Sequence, residues 1–163
     1  MTKSFKFRFA QRGDVELILE FIQGLARYEK MENEVVATPE LLEEWIFDKQ
    51  KAEVLFVLSD ELTAERKEVG FALFFHNFST FLGRAGIYLE DLFVKPEYRG
   101  KGYGKALLQQ LAFITMERGC GRLEWSCLDW NKPSIAFYTS LGAVCMYGWH
   151  TYRLTGDALK QVS

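Results

Sequence analysis

Hydrophobic and polar positions along the chain follow two periods, which divide it into strands and helices. Phe5, Phe7 and Phe9 alternate with Lys6 and Arg8, a half-buried strand pattern. After Gly13-Asp14 the period lengthens: Val15, Ile18, Leu19, Ile22, Leu25 and Ala26 recur at helical spacing, and Asp14 is the expected N-cap. Thr38-Pro39-Glu40 combines a cap, a first-turn proline and an acid, and starts a second helix through Leu41, Leu42, Trp45 and Ile46. Val54 to Leu58 and Val69 to Phe75, joined by a polar turn from Asp60 to Lys67, read as an antiparallel pair. Ile87 to Val94 forms a third strand of that half. It leads through Lys95-Pro96-Glu97-Tyr98 and a glycine-rich turn into a helix carrying Ala106, Leu107, Leu108, Leu111, Ala112 and Ile114. Leu123 to Leu128 reads as a strand, Ser134 to Leu141 as a short helix, and Ala143 to Tyr147 with His150 to Leu154 as a closing strand pair.

Antiparallel N-terminal strands followed by a β-α-β-α-β half give an α/β (α+β) class, a mixed central sheet with helices on both faces. The later strands run parallel only because helices cross over between them. The length of 163 residues suits one domain, residues 1–163, since chains near 150 residues bury about 68–70% of their unfolded surface. Only three prolines occur, which excludes a proline-rich linker.

Composition narrows the function classes. Twenty Lys and Arg against 22 Asp and Glu leave a net charge of −2, which argues against a nucleic-acid surface but leaves room for a local anion site. No apolar run approaches the roughly 18 residues of a membrane span, and the alternating N-terminus is unlike a signal peptide. Cys120, Cys127 and Cys145 are odd in number with no CxxC spacing, which suits a reducing cytoplasm. With only His76 and His150 present, no metal centre is expected.

The most informative stretch is Arg99-Gly100-Lys101-Gly102-Tyr103-Gly104-Lys105, between a strand and a helix. Glycines allow tight turning and close backbone approach, and a helix N-terminus offers N–H groups and a positive dipole end, which together cradle phosphate. Glycines alone leave open an ordinary tight strand-to-helix connection. A P-loop is excluded because Gly104-Lys105 is followed by Ala106 and not by Ser or Thr. A dinucleotide fingerprint is excluded because Gly100-x-Gly102 meets Lys105 where a third glycine is required.

The remaining pattern, R-x-x-G-x-G over Arg99, Gly102 and Gly104, resembles the acetyl-CoA pyrophosphate loop of the GCN5-related N-acetyltransferases (GNAT). The resemblance covers nearly the whole chain. It includes Tyr88 to Val94, Pro96 to Gly100, Leu128-Asp129-Trp130-Asn131, Phe137-Tyr138 and Leu141-Gly142-Ala143. In combination these are similar to the diamine (spermidine/spermine) and thialysine branch, and Leu128 to Asn131 with Gly148-Trp149-His150 lean toward thialysine.

That resemblance implies a fold, a reaction and a set of residues. The cosubstrate is acetyl-CoA, with no metal, and the partner is a small-molecule amine. Arg99 to Lys105 would hold the pyrophosphate, and enlarging Gly102 or Gly104 should block that cradle. The backbone of Leu92, Phe93 and Val94 would pair with the pantetheine arm like an added strand. Glu124, Trp125 and Ser126 flank that arm, and Asn131, Lys132, Pro133 and Ser134 run along the cofactor. Asn131 also suits a helix N-cap.

Two adjacent acids, Glu90 and Asp91, are unusual on a strand, where neighbours point to opposite faces. A partly buried carboxylate should have a partner or a task, although a strand end where both reach water would need neither. An alkyl ammonium of pKa about 10.4 is neutral in only on the order of one molecule in a few thousand at pH 7. The neutral amine is the nucleophile, so an acid beside it is useful, and the resemblance places Glu90 there as proton acceptor. Tyr138 is implied as the general acid for the departing thiolate; periodicity alone fits a core tyrosine equally well. Tyr28, Glu29, Asp91 and Trp149 are the other implied amine contacts, and from the residues alone Trp149 reads equally as a pocket wall or a core residue. Tyr147 departs from the polyamine-acetylating members, which carry an acid just before Gly-Trp. Loss of that anchor favours a shorter amine such as thialysine, lysine or a small diamine over spermidine or spermine. The alternatives are a polyamine acetyltransferase and a CoA-binding sensor without chemistry. The family is commonly homodimeric, which implies a homodimer here.

Overall fold

β1 (Lys6–Phe9), β2 (Glu53–Leu58), β3 (Glu68–Ser79), β4 (Arg84–Val94) and β5 (Leu123–Trp125) lie side by side in sequence order in one mixed sheet. They belong to a computed structural model that describes residues 4–61 and 67–163. Residues 62–66 of the expected Asp60 to Lys67 turn lie outside the described residues. Two compact units result, residues 1–126 and 127–163.

In the first unit the four N-terminal strands are antiparallel, and β5 is parallel to β4. The parallel step needs a crossover, supplied by α3 (Tyr103–Glu117). β3 and β4 reach beyond their apolar runs because the ladder continues to Ser79↔Arg84, past the core. β5 has three residues and stops short of the expected Leu128.

Helices cover both faces. Val54, Phe56, Phe71 and Phe93 share one face with Ile18 and Phe21 of α1 (Val15–Tyr28). Phe21 stacks 5.1 Å from Phe71 and 5.8 Å from Phe56. Deleting such a buried ring costs about 3–5 kcal/mol. α1 carries a glycine where this face comes nearest: a Cβ on Gly24 would lie 2.9 Å from Phe93 Cε1. Leu92 and Val94, on the opposite face, meet α3 at Gly104.

Asp14 departs from its expected role. Its carboxylate makes no cap bond to α1; it accepts from both terminal nitrogens of Arg8 at 2.8 and 2.9 Å and from the Gln11 N–H at 2.7 Å. The competing guanidinium holds this carboxyl below its ordinary value. Thr38 caps α2 (Pro39–Leu42) as expected, its Oγ1 accepting from Leu41 N–H, and the helix continues as a π-helical turn over Glu43–Asp48.

The second unit contains α4 (Lys132–Ser140) and α5 (Gly156–Val162). The expected closing strand pair does not form: residues 143–154 carry no regular element. A two-stranded hairpin is marginal without a third strand or an apolar face to sit on, and Val144, Tyr147, Trp149 and Tyr152 are all exposed. Alternating residues were present without the burial that turns alternation into a strand. α5 has no counterpart among the elements expected from periodicity.

Candidate active site

The acid pair on β4 sits where the sheet register breaks. Leu73 pairs with Asp91 and Phe74 with Leu89, so Glu90 is an extra residue, a β-bulge. The bulge resets the alternation. Asp91 joins Phe93 on the α1 side while Leu89 and Leu92 stay on the α3 side, and the expectation that Glu90 and Asp91 simply oppose one another fails at that point. Glu90 is exposed and Asp91 half-buried. Burial pushes the Asp91 carboxyl up to about 7, and the charges of Glu90 and then Glu29 push in the same direction. Glu29, at the C-terminal end of α1, is itself raised by desolvation. Three carboxylates of the first unit thus share one electrostatic environment. None of the described cations is near enough to offset the rise at Asp91.

Tyr28, the last residue of α1, meets Arg99, whose guanidinium lies 4.8 Å from its ring centroid and 5.2 Å from that of Phe93. Arg99 Nε also donates to the Val94 carbonyl at 3.2 Å. This arrangement ties the glycine turn to β4 and to the end of α1, and no periodicity announces it.

The turn itself is left-handed twice, at Gly100 (φ 75°) and at Gly102 (φ 91°), which is the N-cap of α3. A Cβ at Gly102 would also lie 3.3 Å from Phe5 Cζ. At Gly104 a Cβ would make only ordinary contacts within the protein, 3.8 Å from Val94 and 3.9 Å from Leu92, so the fold itself requires a glycine at Gly102 and not at Gly104. The first intrahelical bond recorded from the cap is Ala106 N–H to Gly102 O, 3.0 Å, and no acid occupies the first turn. Tyr103 is buried and donates its hydroxyl to Asp60 at 2.7 Å, while Lys101 pairs with Glu61 at 2.6 Å. Tyr103 is therefore an anchor for the helix start, with its ring turned inward.

Pairing of β4 with β5 ends at Leu89↔Trp125, so no β5 residue bonds to Leu92, Phe93 or Val94. Beyond that point the Tyr88 and Ser126 hydroxyls bond at 2.7 Å. Glu124 is occupied within the sheet: its carboxylate accepts from Asn77 Nδ2 at 3.1 Å and pairs with Arg122 at 2.9 Å.

In the second unit Asn131 caps α4, its side-chain oxygen accepting from Ser134 N–H at 3.4 Å, with Lys132 and Pro133 in the first turn. Tyr138 is half-buried on the same helix, its ring 5.6 Å from that of Phe137. Trp149 is 76% exposed, and Tyr147 is exposed beside it in the irregular segment.

The left-handed glycines at the α3 cap and the bulged acid strand before them fall within residues 20–143, which match the model of the Acetyltransferase (GNAT) family. The chain belongs to the GNAT acetyltransferase family. The acetyltransferase is 36% identical over 164 residues to thialysine N-epsilon-acetyltransferase of Bos taurus, covering 96% of this chain and 95% of that one. L-ornithine N5-acetyltransferase NATA1 of Arabidopsis thaliana is 46% identical over 93 residues, 57% of this chain and 41% of that one. An integron cassette protein from the mobile metagenome of V. cholerae shares the fold, with TM-score 0.78 and 26% identity over 99% of this chain and 98% of that one. The mixed α/β sheet expected from the sequence is the GNAT fold.

Acetyl-CoA is the cosubstrate of this family, and the turn fits its pyrophosphate: two left-handed glycines precede a helix start free of acids. Among the described residues no group of three or more His, Cys, Asp or Glu is placed to hold a metal ion, and no helix is long and apolar enough to cross a membrane. A cavity of about 350 Å³ between Phe9, Phe47, Gln50 and Glu53 is lined by none of the site residues, so it contributes nothing to the acetyltransferase chemistry.

Proposed function

We propose that the acetyltransferase transfers the acetyl group of acetyl-CoA to the primary amine of a small amine or amino acid of the thialysine, lysine-like or diamine type, by direct attack in a ternary complex. The observation that carries this reading is the raised carboxyl of Asp91 beside Glu90 and Glu29, an acidic cluster whose own carboxylates push that carboxyl up. An ammonium entering there supplies the opposite charge and favours the ionised form of Asp91. Thialysine and ornithine, named for the relatives above, are amines of this size.

When bound, acetyl-CoA supplies an activated thioester carbonyl. Glu90 accepts the ammonium proton, directly or through water, and frees the nitrogen lone pair for the carbonyl carbon. Asp91, Glu29 and Tyr28 orient the amine, and holding both reactants together replaces a bimolecular encounter. The backbone of Leu92 to Val94 holds the pantetheine arm, Arg99 to Lys105 the pyrophosphate, and Asn131 to Ser134 a further stretch of the cofactor, with Glu124 to Ser126 alongside. Tyr138 gives its proton to the departing thiolate and regains one, directly or through water, from the nitrogen that becomes the amide, so the products are an amide and free CoA, with one proton left on Glu90. On the family resemblance alone we also assign Trp149 to the amine site, and Tyr147 brings no carboxylate for a distal ammonium.

One catalytic domain spans residues 1–163 in this reading, and the family match across residue 126 supports it. We further assign a cytoplasmic homodimer acting on neither nucleic acid nor membrane, on the family resemblance, the three cysteines without CxxC spacing and the −2 charge. Thiol release from acetyl-CoA tests the reaction. It should appear with at least one short primary amine and fall about a hundredfold or more in Tyr138→Phe with acetyl-CoA affinity kept. Silence across a broad amine panel would sink the proposal.

A further inference from the structure

Arg99 carries a charge that the structure satisfies in an uncommon way. Its guanidinium faces two aromatic rings, Tyr28 at 4.8 Å and Phe93 at 5.2 Å, and its Nε is held by the Val94 carbonyl. Among the described residues no carboxylate forms an ion pair with it, although Glu29 adjoins Tyr28 in sequence. The rings belong to different elements, since Tyr28 ends α1 and Phe93 lies on β4 two residues beyond Asp91. Phe93 in turn presses on α1 where only a glycine fits, at Gly24. The α1 end therefore meets the strand at two levels, through Gly24 against Phe93 and through Tyr28 against Arg99. The first contact is buried packing, whereas the second depends on a residue of the glycine turn.

We propose that Arg99 is a positioning residue for the amine: by stacking on Tyr28 it fixes the end of α1, and with it Glu29, relative to Asp91 on β4. Arg99 acts on the amine through Tyr28 and touches no reacting atom. The turn that receives the cofactor phosphates thereby also sets the amine pocket. This proposal rests on the amine-acetylation reading above.

A double-mutant cycle read on amine KM at saturating acetyl-CoA tests it, with acetyl-CoA affinity measured separately by calorimetry. A cation–π contact at an exposed site corresponds to roughly a two- to fivefold effect. Arg99→Gln should raise amine KM by about that factor, more than it lowers kcat, and Arg99→Lys should recover part of the loss. In a Tyr28→Leu background Arg99→Gln should add nothing further to amine KM. Multiplying effects of the two substitutions, or an Arg99→Gln change confined to acetyl-CoA affinity, would overturn the proposal while leaving acetylation intact. Absence of turnover in the unsubstituted enzyme would instead overturn the acetylation reading, and this proposal with it.

Discussion

The glycine turn before α3 and the carboxylates around the β4 bulge lie within a dozen residues of each other, yet they create opposite local charge by different means. The turn builds a positive site from backbone: left-handed φ at Gly100 and Gly102 and the start of a helix. The acid site is built from burial. Asp91 is raised because the α1 face withdraws water from it and because Glu90 and Glu29 are near. The first kind of site is local in sequence and resists pH. The second is tertiary, and burial is what carries its Asp91 carboxyl up to about 7.

The sharpest way to break this contrast is at Gly102. A β-branched residue at φ 91° is sterically disfavoured by more than about 1–2 kcal/mol, and its Cβ would press on Phe5. Gly102→Val should lower acetyl-CoA affinity more than tenfold by calorimetry. The pH dependence of Tm contributed by Asp91 should survive, since the burial and the neighbouring carboxylates that raise Asp91 involve no atom of Gly102; its disappearance would mean that the acid site depends on the backbone of the turn.

The Asp91 contribution has a definite sign. A carboxyl with an ordinary value of 3.8 held near 7 in the folded protein binds more protons folded than unfolded between those values. Stability from this group therefore falls as pH rises from about 4 to 7, and the full penalty is present above 7. Asp91→Asn removes the penalty and should raise Tm by a few degrees at pH 8 while leaving it nearly unchanged at pH 4. An equal change at both pH values would show that packing, and not charge, governs the site. The same variant should weaken amine binding at pH 8, which separates stability from function.

The smallest effect belongs to Gly104→Ala. The methyl meets Val94 and Leu92 at ordinary contact distances, and alanine is favoured over glycine within a helix by up to about 1 kcal/mol. Tm should stay level or rise slightly. A large loss would show that the turn tolerates no side chain even where the fold has room.

The same contrast explains what could be read from the residues alone. The strand and helix periods through Trp125, the Thr38 cap and the glycine turn are local, and the structure carries each of them. The bulge at Glu90 was not legible, because a register shift depends on the partner strand; the sequence shows two adjacent acids and gives no sign that one is extra. Asp14 was misassigned for a similar reason, since Arg8, six residues earlier, outcompetes the helix N–H groups for its carboxylate. Residues 143–154 carry a strand-like alternation without burial behind it, and it leaves them irregular. Arg99 fits its phosphate-loop motif in one dimension, and only the fold brings it to Tyr28.

Comparing kcat/KM for thialysine, lysine, ornithine, putrescine, spermidine and spermine at saturating acetyl-CoA tests the central claim most directly. The account predicts turnover with the highest values among the short amines and amino acids, because Glu29, Glu90 and Asp91 anchor one ammonium and Tyr147 offers no second carboxylate. A clear preference for spermine, or no turnover with any of the six, would contradict it.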